Sequence, residues 1–329
     1  MKFLSVATLA LIQASTFAGV VDLTTFSPGT NFAGTGGISN NGVTVGWFQD
    51  PSTFDVTGYE RLADGTIVPV NFPVTLPPND LMETVPGDVN DSGTIVGTYF
   101  NVGRQAFILA SGVFSTVAID VDGTIESEGF RVSGINDSGE IVGDQVGPEF
   151  FILQSGITTL LSVTGVPTLN DTAADSINDL GQVSGSFFAA LGHPQVFIRN
   201  TDGTFVTFDF PVAACESAMS DGGAGVFIND NGQLAGNCVD SQSNTYAFYG
   251  TPGNFTTFEI PGSAPLSTEI SGINDSGEII GTFSNGQSLE GFTAFILPEP
   301  STLLFALTGF AVAGVRVYFE IKKKNNRKS

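Results

Sequence analysis

The sequence predicts an all-β chain: a six-bladed β-propeller closed by its N-terminal strand, with a signal peptide before it and a transmembrane helix after it. Three observations carry this prediction. A ten-residue hairpin signature recurs six times, each recurrence leaves room for four short strands, and the strand missing from the last unit is present, unpartnered, at the start. Chains of 20–50-residue period that alternate short strands with Gly turns build rings or solenoids rather than a single continuous core.

The signature reads GISNNGVTVG (37–46), DVNDSGTIVG (88–97), GINDSGEIVG (134–143), SINDLGQVSG (176–185), FINDNGQLAG (227–236) and GINDSGEIIG (272–281). Aligned on Asn40, Asn90, Asn136, Asn178, Asn229 and Asn274, the units are 42 to 51 residues apart. An apolar residue ends one strand. Asn then opens a type I turn, its side chain bonding the backbone nearby, and Gly takes the left-handed position that follows. Residues such as Glu140-Ile141-Val142 resume an extended strand. The closing Gly97, Gly143, Gly185, Gly236 and Gly281 predict a bulge or a close backbone approach.

Each unit then offers a strand centred on Phe: QAFIL (105–109), EFFIL (149–153), QVFIR (195–199), YAFYG (246–250) or TAFIL (293–297). After a Gly-containing turn comes an alternating run such as FSTVAI (114–119), FVTFDFP (205–211) or FTTFEIPG (255–262). Unit six stops at Leu297 after its third strand, whereas VVDLTTFSPG (20–29) matches the fourth-strand pattern and has no blade of its own. One strand completing the other would seal both ends of the array and leave no open edge. An open solenoid would instead need a polar cap at each end.

Charge is segregated along the chain. Between residues 19 and 297 the cations are Arg61, Arg104, Arg131 and Arg199, against 31 Asp and Glu, the chain total of 33 less Glu299 and Glu320. So acidic a surface repels polyanions and argues against nucleic acid as a partner. The last eight residues, KKKNNRKS, hold five of the eleven basic groups.

The termini account for that segregation. Residues 1–18 have Lys2, an apolar run from Phe3 to Ile12, and small residues Thr16 and Ala18 at the spacing of a secretory signal cut after Ala18. Residues 301–319 form an apolar stretch that would span roughly 28 Å as a helix, about a bilayer core. Arg316 lies near its end, and the basic tail 320–329 is expected to stay on the cytoplasmic side. The domains expected are therefore 1–18 signal, 19–297 propeller and 298–329 sorting segment.

Pro298-Glu299-Pro300, then an apolar helix, then a basic tail resembles the PEP-CTERM sorting signal of exopolysaccharide-producing bacteria. The resemblance implies processing by exosortase after transient anchoring in the cytoplasmic membrane, and delivery to the cell surface or matrix. An ordinary single-span anchor is the alternative. The Phe strand and the Ile-Asn-x-x-Gly hairpin also resemble the HAF family of extracellular repeats, with Gln105, Glu149, Gln195, Tyr246 and Thr293 at its His position. That resemblance implies a secreted propeller-like protein and speaks to architecture more than to activity.

Function is expected on the longer, more varied connections, those between second and third strands and between blades. Trp47, Phe100, Phe187 and Phe188 could form stacking platforms for sugars, or could pack between blades. His193 is the single histidine; it could ligate a metal, though a lone imidazole makes no metal site by itself. The Asn-Asp turns and Asp120-Val121-Asp122-Gly123 offer oxygen ligands for calcium, yet turn chemistry explains them without a metal, and no cofactor is expected to be required. Cys215 and Cys238 are the two cysteines of a chain expected to leave the cytoplasm, which favours a disulfide between them.

Catalytic signatures are sparse. No Gly-x-Ser-x-Gly elbow or zinc-binding His pair is present, and a triad would have to use His193. The reading is a non-enzymatic surface or matrix module that binds exopolysaccharide or surface glycans. The alternatives are a carbohydrate-active enzyme using a carboxylate pair in the channel, and a purely structural surface protein. An enzyme should show inward acids that break the repeat pattern at one place.

Overall fold

The computed structural model describes residues 19–27, 33–74, 82–100, 103–121, 124–126, 129–145, 149–163, 172–188, 194–211, 225–240 and 242–297. The remaining residues, among them the predicted signal 1–18 and sorting segment 298–329, lie outside the described residues. Among the described residues no helix is long and apolar enough to cross a membrane.

The chain forms six four-stranded antiparallel sheets. Blade 1 comprises Ala33–Ile38, Thr44–Gln49, Val56–Arg61 and Ile67–Val70. Blade 2 comprises Thr84–Val89, Ile95–Phe100, Arg104–Ala110 and Val113–Thr116, and blade 3 Phe130–Ile135, Ile141–Gln145, Glu149–Gln154 and Ile157–Ser162. Blade 4 comprises Thr172–Ile177, Val183–Phe188, Pro194–Arg199 and Phe205–Asp209, and blade 5 Val226–Ile228, Leu234–Val239, Thr245–Thr251 and Asn254–Phe258. Blade 6 takes Glu269–Ile273, Glu278–Ser284 and Leu289–Leu297, and its fourth strand is Gly19–Phe26 from the N-terminus. The orphan strand and the missing strand are one.

The first strands of consecutive blades touch in order, and that of blade 6 returns to blade 1. These strands line the axis, and the ring is complete. Residues Val20–Ile296 form one compact unit. A separate two-strand hairpin, Ile119–Val121 with Thr124–Glu126, stands between blades 2 and 3 where the sequence predicted a continuous fourth strand through residue 119.

The recurrent Phe and the closing Gly explain each other. Phe107, Phe151, Phe197, Phe248 and Phe292, with Tyr59 in blade 1, are buried in the third strands. Each ring lies across the Gly of the second strand, so that a Cβ at Gly97, Gly143, Gly185, Gly236, Gly281 or Gly46 would run into it. A carbonyl of the first strand, or in blade 5 that of Gly225 just before it, approaches the same Gly. Close approach is therefore the reason for these glycines. The bulge lies instead in the first strand, as a register shift at Thr35/Ile38, Pro86/Asp88, Val132/Gly134, Ala174/Ser176 and Ile270/Gly272. Each buried aromatic contributes about 2–3 kcal/mol of burial.

Apolar cores lie between blades rather than within them. Val45 and Val70 of blade 1 pack with Ile95, Tyr99 and Phe107 of blade 2, and Phe150 of blade 3 packs with Phe187 and Phe197 of blade 4.

The two poles differ. One carries the turns between first and second strands together with the hairpins between third and fourth, since Gly42 lies beside Ala63 and Gly181 beside Thr201. The other carries the second-to-third turns and the crossovers.

Candidate functional site: the axial channel and its carboxylate ring

The six signature turns share one geometry. In blade 3 the Asn136 N–H donates to Glu140 O and the Gly139 N–H to Asn136 O, with Gly139 at φ +77°. The Asn136 side-chain oxygen accepts the Glu140 N–H at 2.9 Å, and Asn90, Asn178, Asn229 and Asn274 do the same four residues on. The left-handed Gly and the self-bonded Asn are what the sequence signature encodes.

Blade 1 corrects the alignment by one residue. There Ser39, not Asn40, pairs its N–H with Val43 O and takes the Val43 N–H on its hydroxyl. Asn40 consequently stands where the other blades carry Asp91, Asp137, Asp179, Asp230 and Asp275. Adjacent asparagines and a serine that serves the same turn concealed this shift.

Two hydrogen-bonded circuits run around the axis. In the first, the Asn side-chain amide donates to the carbonyl of the equivalent residue in the next blade: Asn90 to Asn136, Asn136 to Asn178, Asn178 to Asn229, Asn229 to Asn274 and Asn274 to Ser39. In the second, a backbone N–H donates to the next blade's carboxylate: Asn40 to Asp91, Asp91 to Asp137, Asp137 to Asp179, Leu180 to Asp230 and Asp230 to Asp275. Asp275 closes the circuit by donating its N–H to the Asn40 side-chain oxygen, while the Asn40 amide donates to Asp275 Oδ2 at 3.0 Å. The backbone links all point the same way around the ring.

Five carboxylates and one amide therefore encircle one mouth of the channel, a space of about 550 Å³ counted with its open end. Burial, then the neighbouring carboxylates, pushes Asp137, Asp179 and Asp230 above the usual carboxylate range. Asp179, Asp230 and Asp275 each bring an oxygen within 4.8 Å of the others. All-oxygen donors suit calcium, but three carboxylates fill only part of the roughly six to eight positions it takes.

Deeper in the channel two acids depart from the repeat. Asp88 stands where other blades carry Gly37, Gly134, Ser176, Phe227 and Gly272, and Asp175 where they carry Gly36, Gly87, Ser133, Val226 and Ser271. Asp88 accepts the Val89 N–H at 2.8 Å and the Ile135 N–H of blade 3 at 3.0 Å. Asp175 accepts the Arg131 guanidinium of blade 3 and the Val226 N–H of blade 5. Arg131 also pairs with Asp144 at 2.8 Å. Burial pushes Asp88 to about 7 and, against the pull of Arg131, Asp175 to about 7.

The aromatic candidates stand on blades 1, 2 and 4. Trp47 lies half-buried across Gly34 of its own blade, a contact within the sheet rather than between blades. Phe187 is buried among Val183, Phe197 and Phe150 and offers no face to a ligand. Phe100 is exposed at the end of its strand, and Phe188 is half-buried. His193 lies outside the described residues. Cys238 is buried and disulfide-bonded, while its expected partner Cys215 lies outside the described residues. The Asn-Asp turns are read from sequence as a source of oxygen ligands for calcium, but not as a ring: that five of these Asp side chains meet around one axis is a finding of the structure.

No family model and no characterised protein sequence matches the chain. Among solved structures it is similar to virginiamycin B lyase from Staphylococcus aureus, with 12% identity and a TM-score of 0.49 over 82% of this chain and 98% of that one. It is also similar to the fucose-specific lectin from Aleuria aurantia, with 11% identity and a TM-score of 0.49 over 82% of this chain and 96% of that one. What the chain itself establishes is an all-β, six-bladed propeller with a carboxylate-ringed axis.

Proposed function

We propose that the protein is an exported, non-enzymatic component of the cell surface or extracellular matrix, and that its propeller presents recognition loops to exopolysaccharide or surface glycans. The observation that carries the non-enzymatic part is the use made of the axial acids. Asp88 and Asp175, the acids that break the repeat, belong to separate blades, and each spends both carboxylate oxygens on backbone N–H groups or Arg131. A glycosidase pair needs one carboxyl free to donate a proton and another free to act on water or the sugar. These two hold blades together instead.

Export rests on the sequence pattern of the termini, with 1–18 as signal and 298–329 as a PEP-CTERM-like segment for exosortase. The long acidic stretch and the basic tail fit opposite sides of one membrane. The test is binding of the full-length chain to purified matrix polysaccharide and a broad glycan panel while the sugars are monitored for cleavage. Saturable binding without products supports the reading; turnover of any glycan replaces it with the carbohydrate-active alternative.

A further inference from the structure

Among the described residues, the two exposed aromatic side chains are Phe54 and Phe100, at 58% and 39%. Both stand at the pole opposite the carboxylate ring. Phe54 lies in the turn between the second and third strands of blade 1, and Phe100 ends the second strand of blade 2.

Backbone bonds tie the two positions together across the blade boundary. The Val56 N–H donates to Met82 O at 2.7 Å, Val56 bridges Glu83, and the Phe100 N–H donates to Glu83 O at 3.0 Å. Three segments thus lie side by side, which sets the Val56 and Phe100 backbones roughly 10 Å apart, two inter-strand spacings. Phe54 precedes Val56 by two residues.

The turn that carries Phe54 is firmly built. Asp50 Oδ1 accepts the Ser52 and Thr53 N–H groups, the Phe54 N–H donates to Asp50 O, and the Gln49 amide donates to Phe54 O. The Asp55 carboxylate accepts the Met82 N–H at 2.9 Å, fastening the turn to blade 2. Phe54 itself has φ +65°, in the left-handed region that disfavours bulky side chains and that Gly enters freely. Packing does not offset that strain, because most of the residue is in solvent.

Polar groups stand beside the rings. Arg104 pairs directly with Phe100 across the strands; its side chain is 63% exposed and its guanidinium lies 3.8 Å from Glu83. An ion pair so long and so exposed is weak, and it leaves donors and acceptors available to a ligand. Aromatic faces flanked by such groups suit a sugar, whose C–H faces stack on rings and whose hydroxyls both donate and accept.

We infer that Phe54 and Phe100, with Arg104 and Glu83, form a glycan-binding platform across the junction of blades 1 and 2, and that its ligand is a neutral oligosaccharide. The inference rests on the glycan-binding reading in the proposed function and gives it a place. A short oligosaccharide spans the distance between the two positions and can touch both rings. Neutrality follows from charge: between residues 19 and 297 four Arg stand against 31 Asp and Glu, so the surrounding surface repels an anionic polymer.

The test uses the full-length chain, in a detergent without sugar headgroups, on an array of neutral and uronate-containing oligosaccharides, with calorimetric titration of those that bind. Phe54→Gly removes the ring and the left-handed strain together, so it should melt no lower than wild type, and lost binding then cannot be lost structure. The expected result is neutral-oligosaccharide binding that weakens at least tenfold in Phe54→Gly and Phe100→Ala and severalfold in Arg104→Ala. Phe54→Tyr, and Val113→Ala at the opposite pole, should bind as wild type does. Binding that Phe54→Gly and Phe100→Ala leave intact overturns the platform while the glycan reading stands. Binding confined to uronate-containing oligosaccharides overturns the neutral ligand. A chain that binds no oligosaccharide refutes the glycan reading, and the platform with it.

Discussion

Asn274 donates its side-chain amide to the carbonyl of Ser39, 235 residues earlier, at 3.3 Å. The bond joins the last blade to the first on the same circuit that links the other neighbours. The circuit then stops, because the Ser39 hydroxyl caps Val43 and carries no amide to offer Asn90. Blade 1 receives this link but does not pass it on.

Ser39→Asn should supply the missing bond. The new oxygen can take over the Val43 N–H, and the new amide can reach the Asn90 carbonyl as its equivalents do in the other blades. A gain of about 0.5–1.5 kcal/mol is expected, a rise of a few degrees in thermal midpoint. Calorimetry of the variant beside wild type measures it.

Asn136→Ala should have the opposite effect. It removes the acceptor for the Glu140 N–H and one of two donors to the Asn178 carbonyl, which keeps the Gly181 N–H. A loss of about 2–4 kcal/mol is expected in urea unfolding. An unchanged midpoint would show that the circuit contributes nothing net.

Stability should fall as pH rises through neutrality. Burial holds the Asp88 and Asp175 carboxyls near 7 in the fold, against about 4 in an unfolded chain. Between those values the folded chain retains protons that the unfolded chain has released. Their contribution is complete below about pH 4 and is lost as pH rises through about 7. Exposed Asp50, Asp64, Asp202 and Asp240, lowered first by hydrogen bonds to neighbouring residues, act in the reverse direction at more acid pH and are screened by solvent. The thermal midpoint should be higher at pH 5 than at pH 8, and Asp88→Asn should flatten that slope.

Gly37 and Asp88 should be coupled. A methyl at Gly37 would overlap the Asp88 carboxylate of the next blade. Gly37→Ala alone should cost several kcal/mol, as overpacking and a displaced charge combine, and Asp88→Ala should recover part of it. Additive losses in the double-mutant cycle would refute the contact.

Deleting residues 19–26 should open the ring. Phe26 lies over Gly291 of the neighbouring strand and under the Arg61 guanidinium, 4.8 Å from the ring centre. Without the closing strand, Leu289–Leu297 becomes an unpaired edge. Light scattering should show association of the truncated chain at concentrations where the intact chain remains monodisperse.

Blade number, closure and the Phe-centred third strands were legible because they depend on local period and strand alternation, whereas the Phe ring lying over the closing Gly was not. The register of blade 1 was not, since Ser39 and Asn40 satisfy the same turn pattern displaced by one residue. The Asn-Asp turns were noticed as oxygen donors, but their arrangement as a ring escaped for a different reason. A turn needs only neighbours in sequence, whereas Asp137 meets the Asp91 N–H across 46 residues, through a wedge angle that composition does not specify. Asp88 and Asp175 were two among 31 acids until the strands placed them on the axis. Phe187 satisfied the sugar-platform pattern and the packing pattern alike, and burial decided for packing.

The carboxylate circuit has a sense of rotation but no first member. Each blade gives one donor forward and receives one on its own side chain, so a blade's two junctions are complementary and nearly interchangeable with those of any other. A gene that gained or lost a whole unit would present matching junctions at the splice, with no new bonding chemistry to invent. Blade count in such a ring is then a matter of how many wedges fill a circle, and its history can be one of copying rather than of redesign.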